Sequence, residues 1–77
     1  MYGSESNMRR DHVISTDISS VGYDEQAGIL EIEFNSGGIY QYSSVPKNVY
    51  MGLMSATSHG SYFHQYIKDA YSYIKVR

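Results

Sequence analysis

The 77-residue chain carries 8 acidic against 6 basic side chains, a formal net charge of −2, and no cysteine. That is room for one small domain with no disulfide framework or thiolate metal cage; domains of roughly 60 residues bury only about 60% of their unfolded surface, so stability rests on packing and on any self-association. No run approaches the ~18 apolar residues of a membrane span and none near the N-terminus resembles a signal-peptide core, so the expectation is a cytoplasmic chain with no membrane partner.

The basic residues are scattered: Arg9 and Arg10 early, then Lys47, Lys68, Lys75 and Arg77. Duplex DNA is not expected as a partner, because a non-specific binder needs a basic stripe to displace counterions from phosphates. Nine tyrosines and no tryptophan mark the composition. A tyrosine joins apolar area to a polar tip, which suits an interface or a ligand site.

Residues 1–14 are polar and without periodicity, and read as a disordered or loosely packed tail, with Val13 and Ile14 free to run along a sheet edge. The domain itself occupies residues 15–77. A first strand is expected over residues 18–23, with Val21 and Tyr23 on one face and Ile18 on the other. Residues 24–28 form a polar connection ending in Gly28, suited to a hairpin. The sequence ILEIEF at 29–34 holds the clearest period-two alternation, Leu30, Ile32 and Phe34 against Ile29, Glu31 and Glu33. After Asn35-Ser36-Gly37-Gly38 comes a run of strand formers, Ile39-Tyr40-Gln41-Tyr42, which completes an antiparallel meander.

The turn decides where Tyr40 and Tyr42 point, since a one-residue slip moves every side chain to the other face. An even loop sets both tyrosines beside Glu31 and Glu33. A three-residue loop closed by a glycine bulge sets them with Leu30, Ile32 and Phe34. Asn35-Ser36-Gly37 followed by Gly38 fits the second, because glycine supplies the positive φ that the bulge requires.

Pro46 opens the first helix at its first position, where a missing N–H costs nothing. Val49, Leu53 and Ala56 share a stripe, flanked by Tyr50 and Met54, and the helix ends near residues 56 and 57. Gly52 weakens it, as expected where a helix passes close over another element. In a second helix Phe63, Tyr66, Ile67, Ala70, Tyr71 and Ile74 repeat with a period near 3.6. Ser58 is its natural N-cap and Ser61 a competing one. Residues 73–77 either finish this helix or form an extended strap. The fold class is α+β: a three-stranded antiparallel meander followed by two helices packed on one face, β-β-β-α-α, in two layers.

Catalytic chemistry has little support. Ser58 and His59 are adjacent, which is not the spatial geometry of a nucleophile and its base. The carboxylate pairs Asp24/Glu25 and Glu31/Glu33 read as solubilising charge on a turn and an outer strand face. His59 and His64 are five apart, not the i, i+4 spacing that puts two imidazoles on one helical face, so no metal and no cofactor is expected. Anion binding is better supported. Ser58, His59, Gly60 and Ser61 put a glycine and two hydroxyls at a helix start, where free N–H groups and the dipole favour a phosphate or carboxylate. Tyr62 follows and can lay its ring against a ligand. Against this stands plain N-capping, with Gly60 serving helix packing. Inward, Tyr40 and Tyr42 are core rings whose hydroxyls edge a pocket near Gly60; outward, they are a base-stacking platform spoiled by the neighbouring glutamates.

The ordered set SSVGYD (19–24), LEIEF (30–34), GGIYQYSSVP (37–46), VY with GLMSA, SHGSYF (58–63) and IKDAYSY (67–73) resembles the KTSC domain, a family named for its occurrence at the C-terminus of some lysyl-tRNA synthetases and found also as stand-alone bacterial and phage proteins. The resemblance runs from Ser15 to about Tyr73, and the family's Tyr-x-Tyr signature falls on Tyr40-Gln41-Tyr42. Where the family often reads Y-P-Y near its end, this chain has Tyr71-Ser72-Tyr73, which bears on the last helix boundary. The resemblance implies no established enzymatic activity, and suggests RNA through the synthetase fusion. For a phage-borne copy the location would be the host cytoplasm.

The expectation is therefore a non-enzymatic binding domain for a phosphate-bearing ligand, RNA or a small nucleotide, held by Ser58, His59, Gly60, Ser61 and Tyr62 with Tyr40 and Tyr42 stacking on the base. A stand-alone copy of that kind could sequester a nucleotide signal. The alternative is a protein–protein module, with the tyrosines building a homo-oligomer or partner interface. An enzyme is the least supported.

Overall fold

The alternating middle of the chain forms the centre of a sheet that both ends extend. In the computed structural model, which describes residues 8–77, the order is β1 (Asp11–His12), β2 (Ile18–Asp24), β3 (Ile29–Phe34), β4 (Ile39–Tyr42), α1 (Lys47–Ser55), α2 (His59–Tyr66) and β5 (Tyr73–Lys75). The sheet runs β1-β2-β3-β4-β5 in space, and every pairing is antiparallel. The α+β class and the two helices agree with the sequence reading, but the strand count rises from three to five. Of the expected tail, residues 1–7 lie outside the described residues, whereas Asp11 and His12 pair with Val21 and Ser20.

The fifth strand comes from residues that continue the helical period. α2 stops at Tyr66, where the N–H groups of Ile67 and Lys68 both bond the Phe63 carbonyl at 2.9 Å. β4 explains why the chain leaves the helix there. Its outer edge presents N–H and C=O groups, and unpaired backbone groups cost about as much as a lost hydrogen bond. Ser43 N donates to Ser72 O at 2.9 Å, Val76 N to Ile39 O at 2.8 Å, and Ile39 N to Arg77 O at 3.0 Å. The β-forming string Tyr73-Ile74-Lys75-Val76 serves that edge better than another turn of helix would.

Both central hairpins are set by local chemistry. The Asp24 carboxylate accepts from the N–H groups of Gln26 and Ala27 at 3.1 and 3.2 Å, and Gly28, at φ 69°, closes the turn. In the second hairpin Phe34 N bonds Gly38 O at 2.9 Å and Gly37 sits at φ 107°, which leaves a three-residue loop. Tyr42 therefore opposes Leu30 and Tyr40 opposes Ile32, the inward register.

The face under the helices carries the core: Ile18, Val21, Leu30, Ile32 and Tyr42 from the strands, Val45 from the loop after β4, Leu53 from α1, Phe63 and Ile67 from α2 and its cap. Ile18 was expected on the far face. A register shift between Ile18 and Ser20 brings it opposite Phe34 instead, so Ile18 and Val21 are both buried inward although strict alternation would separate them. Pro46 stands one position earlier than expected, as the N-cap whose carbonyl receives Val49 N and Tyr50 N. A Cβ on Gly52 would fall 2.2 Å from the Tyr62 hydroxyl, so this glycine is the groove in α1 that seats the Tyr62 ring.

The opposite face is not the solvated acidic strip that the sequence suggested. Glu31 is completely buried. Residues 8–10 cross this face, with the Arg9 carbonyl so close to Gly22 that a Cβ there would lie 2.4 Å away. Arg10 then pairs with Glu31, donates from Nε to Ser20 Oγ at 2.9 Å, and lies 3.8 Å from Glu33. Gln41 donates to the other Glu31 oxygen at 2.8 Å. A buried charge is tolerable only when paired and hydrogen-bonded, and this one has both kinds of partner.

Candidate functional site

Three tyrosines meet on the helix-covered face. Tyr40 and Tyr42 point inward from β4, and β5 sets Tyr73 directly opposite Tyr42. The Tyr42 and Tyr73 rings are 5.4 Å apart, and Tyr40 and Tyr73 5.6 Å. Phe34 packs edge-on against both Tyr40 (5.5 Å) and Phe63 (5.2 Å), and Phe63 reaches Tyr42 at 5.6 Å. These five rings wall an open cavity of about 310 Å³, near the lower bound of small-molecule sites. Ser36 borders it from the hairpin tip, and Lys68 and Asp69 from the turn after α2. Lys75 Nζ lies 6.0 Å from the Tyr40 ring centre. Burial, then the neighbouring phenols of Tyr73 and Tyr40, push Tyr42 up to about 12, so it is a neutral hydroxyl at physiological pH.

A second cavity, of about 330 Å³, adjoins the first. Phe34 and Ser36 belong to both; Thr16, Asp17, Asn35 and His64 complete the second. His64 Nε2 lies 4.0 Å from Asp17 Oδ2.

The residues singled out from the sequence do not converge. Tyr40 and Tyr42 line the aromatic cavity, whereas Ser58, His59, Gly60, Ser61 and Tyr62 line neither cavity. At the start of α2, Ser58 Oγ accepts from Ser61 N at 3.2 Å and the Ser58 carbonyl from Tyr62 N at 3.1 Å, the capping that the sequence allowed. His59 Nδ1 is 2.8 Å from the Leu53 carbonyl, an acceptor, so the ring donates there and ties α2 to the end of α1. Gly60 is buried, and a Cβ on it would lie 2.8 Å from Asp17 Oδ2. The positive end of the helix dipole thus already faces a carboxylate of the chain itself. Tyr62 turns away to Gly52 and packs at a tilt against Tyr66, ring centres 4.7 Å apart. Among the described residues no three His, Cys, Asp or Glu side chains gather as a metal site.

Sequence reasoning missed Tyr73, Phe63 and Lys68 as wall and rim. The sequence leaves Tyr73 open between the end of a helix and an extended strap, and the structure takes the second as strand β5. Phe63 reads from its period as a helix stripe residue, and Lys68 only as one of the scattered basic residues.

A five-stranded antiparallel sheet with two helices on one face, an aromatic-lined cavity and, among the described residues, no helix long and apolar enough to cross a membrane defines a small α+β domain. The KTSC domain family model matches residues 14–71, and the chain belongs to that family. A crystal structure of a KTSC domain protein from Yersinia pestis superposes with a TM-score of 0.86 at 41% identity, covering 88% of this chain and 96% of that one. A protein of Stutzerimonas stutzeri (strain A1501) described only as uncharacterized is 43% identical over 61 residues, 79% of this chain and 86% of its own length. A lysine–tRNA ligase of Nostoc sp. is 41% identical over 56 residues; the match takes in 73% of this chain but only 10% of the ligase.

Proposed function

We propose that this domain binds a phosphate-bearing aromatic ligand, single-stranded RNA or a small nucleotide, in the cavity walled by Tyr40, Tyr42 and Tyr73, rather than at the start of α2. The observation that carries the reading is the convergence of five aromatic rings on an open cavity with Lys68 at its rim. Aromatic faces stack on any base, and a nearby ammonium answers the phosphate. The carboxylates of Glu31 and Glu33 sit on the opposite face of the sheet, so they do not repel a backbone held here. Asp69, beside Lys68, is the one carboxylate on the cavity rim and disfavours phosphate on its side. The presence of a similar segment within enzymes named lysine–tRNA ligase supports RNA as the ligand class. A nucleotide held in this way could also be sequestered by a free-standing copy.

Tyrosine fluorescence and amide chemical shifts, followed while 5′-ribonucleotides and short RNA oligomers are added, test this. Shifts are expected at Tyr40, Tyr73 and Lys68. Tyr73→Ala should weaken binding by the value of one stacked base, about 1–3 kcal/mol. Lys68→Glu should weaken it and flatten its salt dependence. Perturbation confined to residues 58–62, or none, refutes the proposal. A second reading, a homo-oligomer or partner interface, is favoured by the exposed edge strand β5, where Tyr73 and Ile74 are 55% and 61% exposed. Sedimentation over a range of concentrations, with Ile74→Lys as the disrupting variant, separates the two.

A further inference from the structure

The aromatic cavity is not isolated. Phe34 and Ser36 line both it and the second cavity, so the two lie side by side at the hairpin tip. Their linings differ in kind. The first offers ring faces and the Lys68 ammonium. The second offers a carboxylate, an imidazole and short hydroxyl and amide groups, with Phe34 its one apolar ring. Asp17 is the decisive group there. An ionised carboxylate only accepts hydrogen bonds, so its cavity repels phosphate and takes hydroxyl or amino donors. Its side chain is half exposed, and His64 Nε2 lies 4.0 Å from it. The buried Gly60, at the N-terminal end of α2, lies against it.

Building on the nucleotide reading of the aromatic cavity, we infer that the two adjoining cavities act as one groove that takes two consecutive units of single-stranded RNA, one base among the tyrosines with its phosphate toward Lys68, and the neighbouring ribose in the second cavity with its 2′-hydroxyl donating to Asp17. Placed so, the Asp17 carboxylate favours RNA over DNA, because the 2′-hydroxyl is a donor that deoxyribose lacks. Phe34, edge-on to Tyr40 and to Phe63, divides the two units. His64 follows Phe63 on α2 and carries the helix side of the groove from the first cavity into the second.

Calorimetric titration of the intact chain at fixed salt, with the ribodinucleotide ApA, its deoxy counterpart and 5′-AMP, tests the assignment. ApA should bind at least about tenfold more tightly than either of the others, and Asp17→Ala should erase the preference for ribose over deoxyribose. Equal binding of ApA and its deoxy form, or of ApA and 5′-AMP, overturns it; if Tyr73→Ala still weakens 5′-AMP in that case, the aromatic site stands and only its extension falls. Binding of none of the three overturns both. The ligand comparison is made on the unaltered chain, so it decides the matter even if Asp17→Ala misfolds.

Discussion

Removing the Arg10 side chain is the sharpest test of how the sheet is held from behind. Glu31 is at 0% exposure, and its two oxygens are answered by Arg10 and by Gln41. Arg10→Ala leaves a fully desolvated carboxylate with one neutral donor. Breaking one side of a buried pair costs about 3–5 kcal/mol. The Arg10 side chain is itself 20% exposed, so water can replace part of what is lost and the lower end, about 3 kcal/mol, is expected. A chain of 77 residues has a total stability of about 4–12 kcal/mol at roughly 0.05–0.15 kcal/mol per residue. The loss is therefore a large share of the whole. With a urea dependence of about 1 kcal/mol per molar, the midpoint should fall by about 3 M. The double variant Arg10→Met/Glu31→Met, which removes both charges, should recover to within about 1 kcal/mol of the parent. If Arg10→Ala costs less than about 1 kcal/mol, the value of an exposed pair, then residues 8–10 do not seal this face and the account is wrong.

Two further outcomes probe the helix layer and the ring cluster. Gly52→Ala gains up to about 1 kcal/mol of helix propensity, yet its Cβ displaces the Tyr62 ring, so a net loss in thermal stability is expected; in a Tyr62→Ala background the same change should stabilise, and a loss in both backgrounds would refute the seating of Tyr62 on α1. Tyr42, held at about 12 when folded against about 10 when unfolded, contributes stability that is complete below pH 10 and is lost as pH rises through 12. Phenolate absorbance should show one late-titrating ring that is absent from Tyr42→Phe; joint ionisation of all the tyrosines near pH 10 with the fold intact would refute its burial.

Some of these features were legible in the chain and others were not. Residues 29–42 announce their own hairpin: alternation fixes which side chains share a face, and a glycine able to take φ 107° fixes the loop length, hence the inward tyrosines. Ser58 announces its cap in the same way, by a side chain that reaches three residues on. Glu31 does not announce its burial. Its alternation says only that it faces away from Leu30 and Ile32, and whether that side is water or protein depends on where Arg10 comes to rest, 21 residues earlier. Nor does the sequence around Gly60 announce the Asp17 carboxylate that lies against it.

The last strand states the division most clearly. By sequence, Tyr71 and Ile74 continue a helical stripe; in the fold, Tyr73 crosses to β4 and completes the aromatic cavity. Sequence by itself determined the local geometry, the turns, caps and strand faces, because these follow from dihedral preferences and side-chain spacing within a few residues. Tertiary structure alone decided which edge needed a partner, which carboxylates were covered and which rings met, because unsatisfied backbone groups and buried charges are answered by whatever segment comes to lie beside them, however distant in the chain.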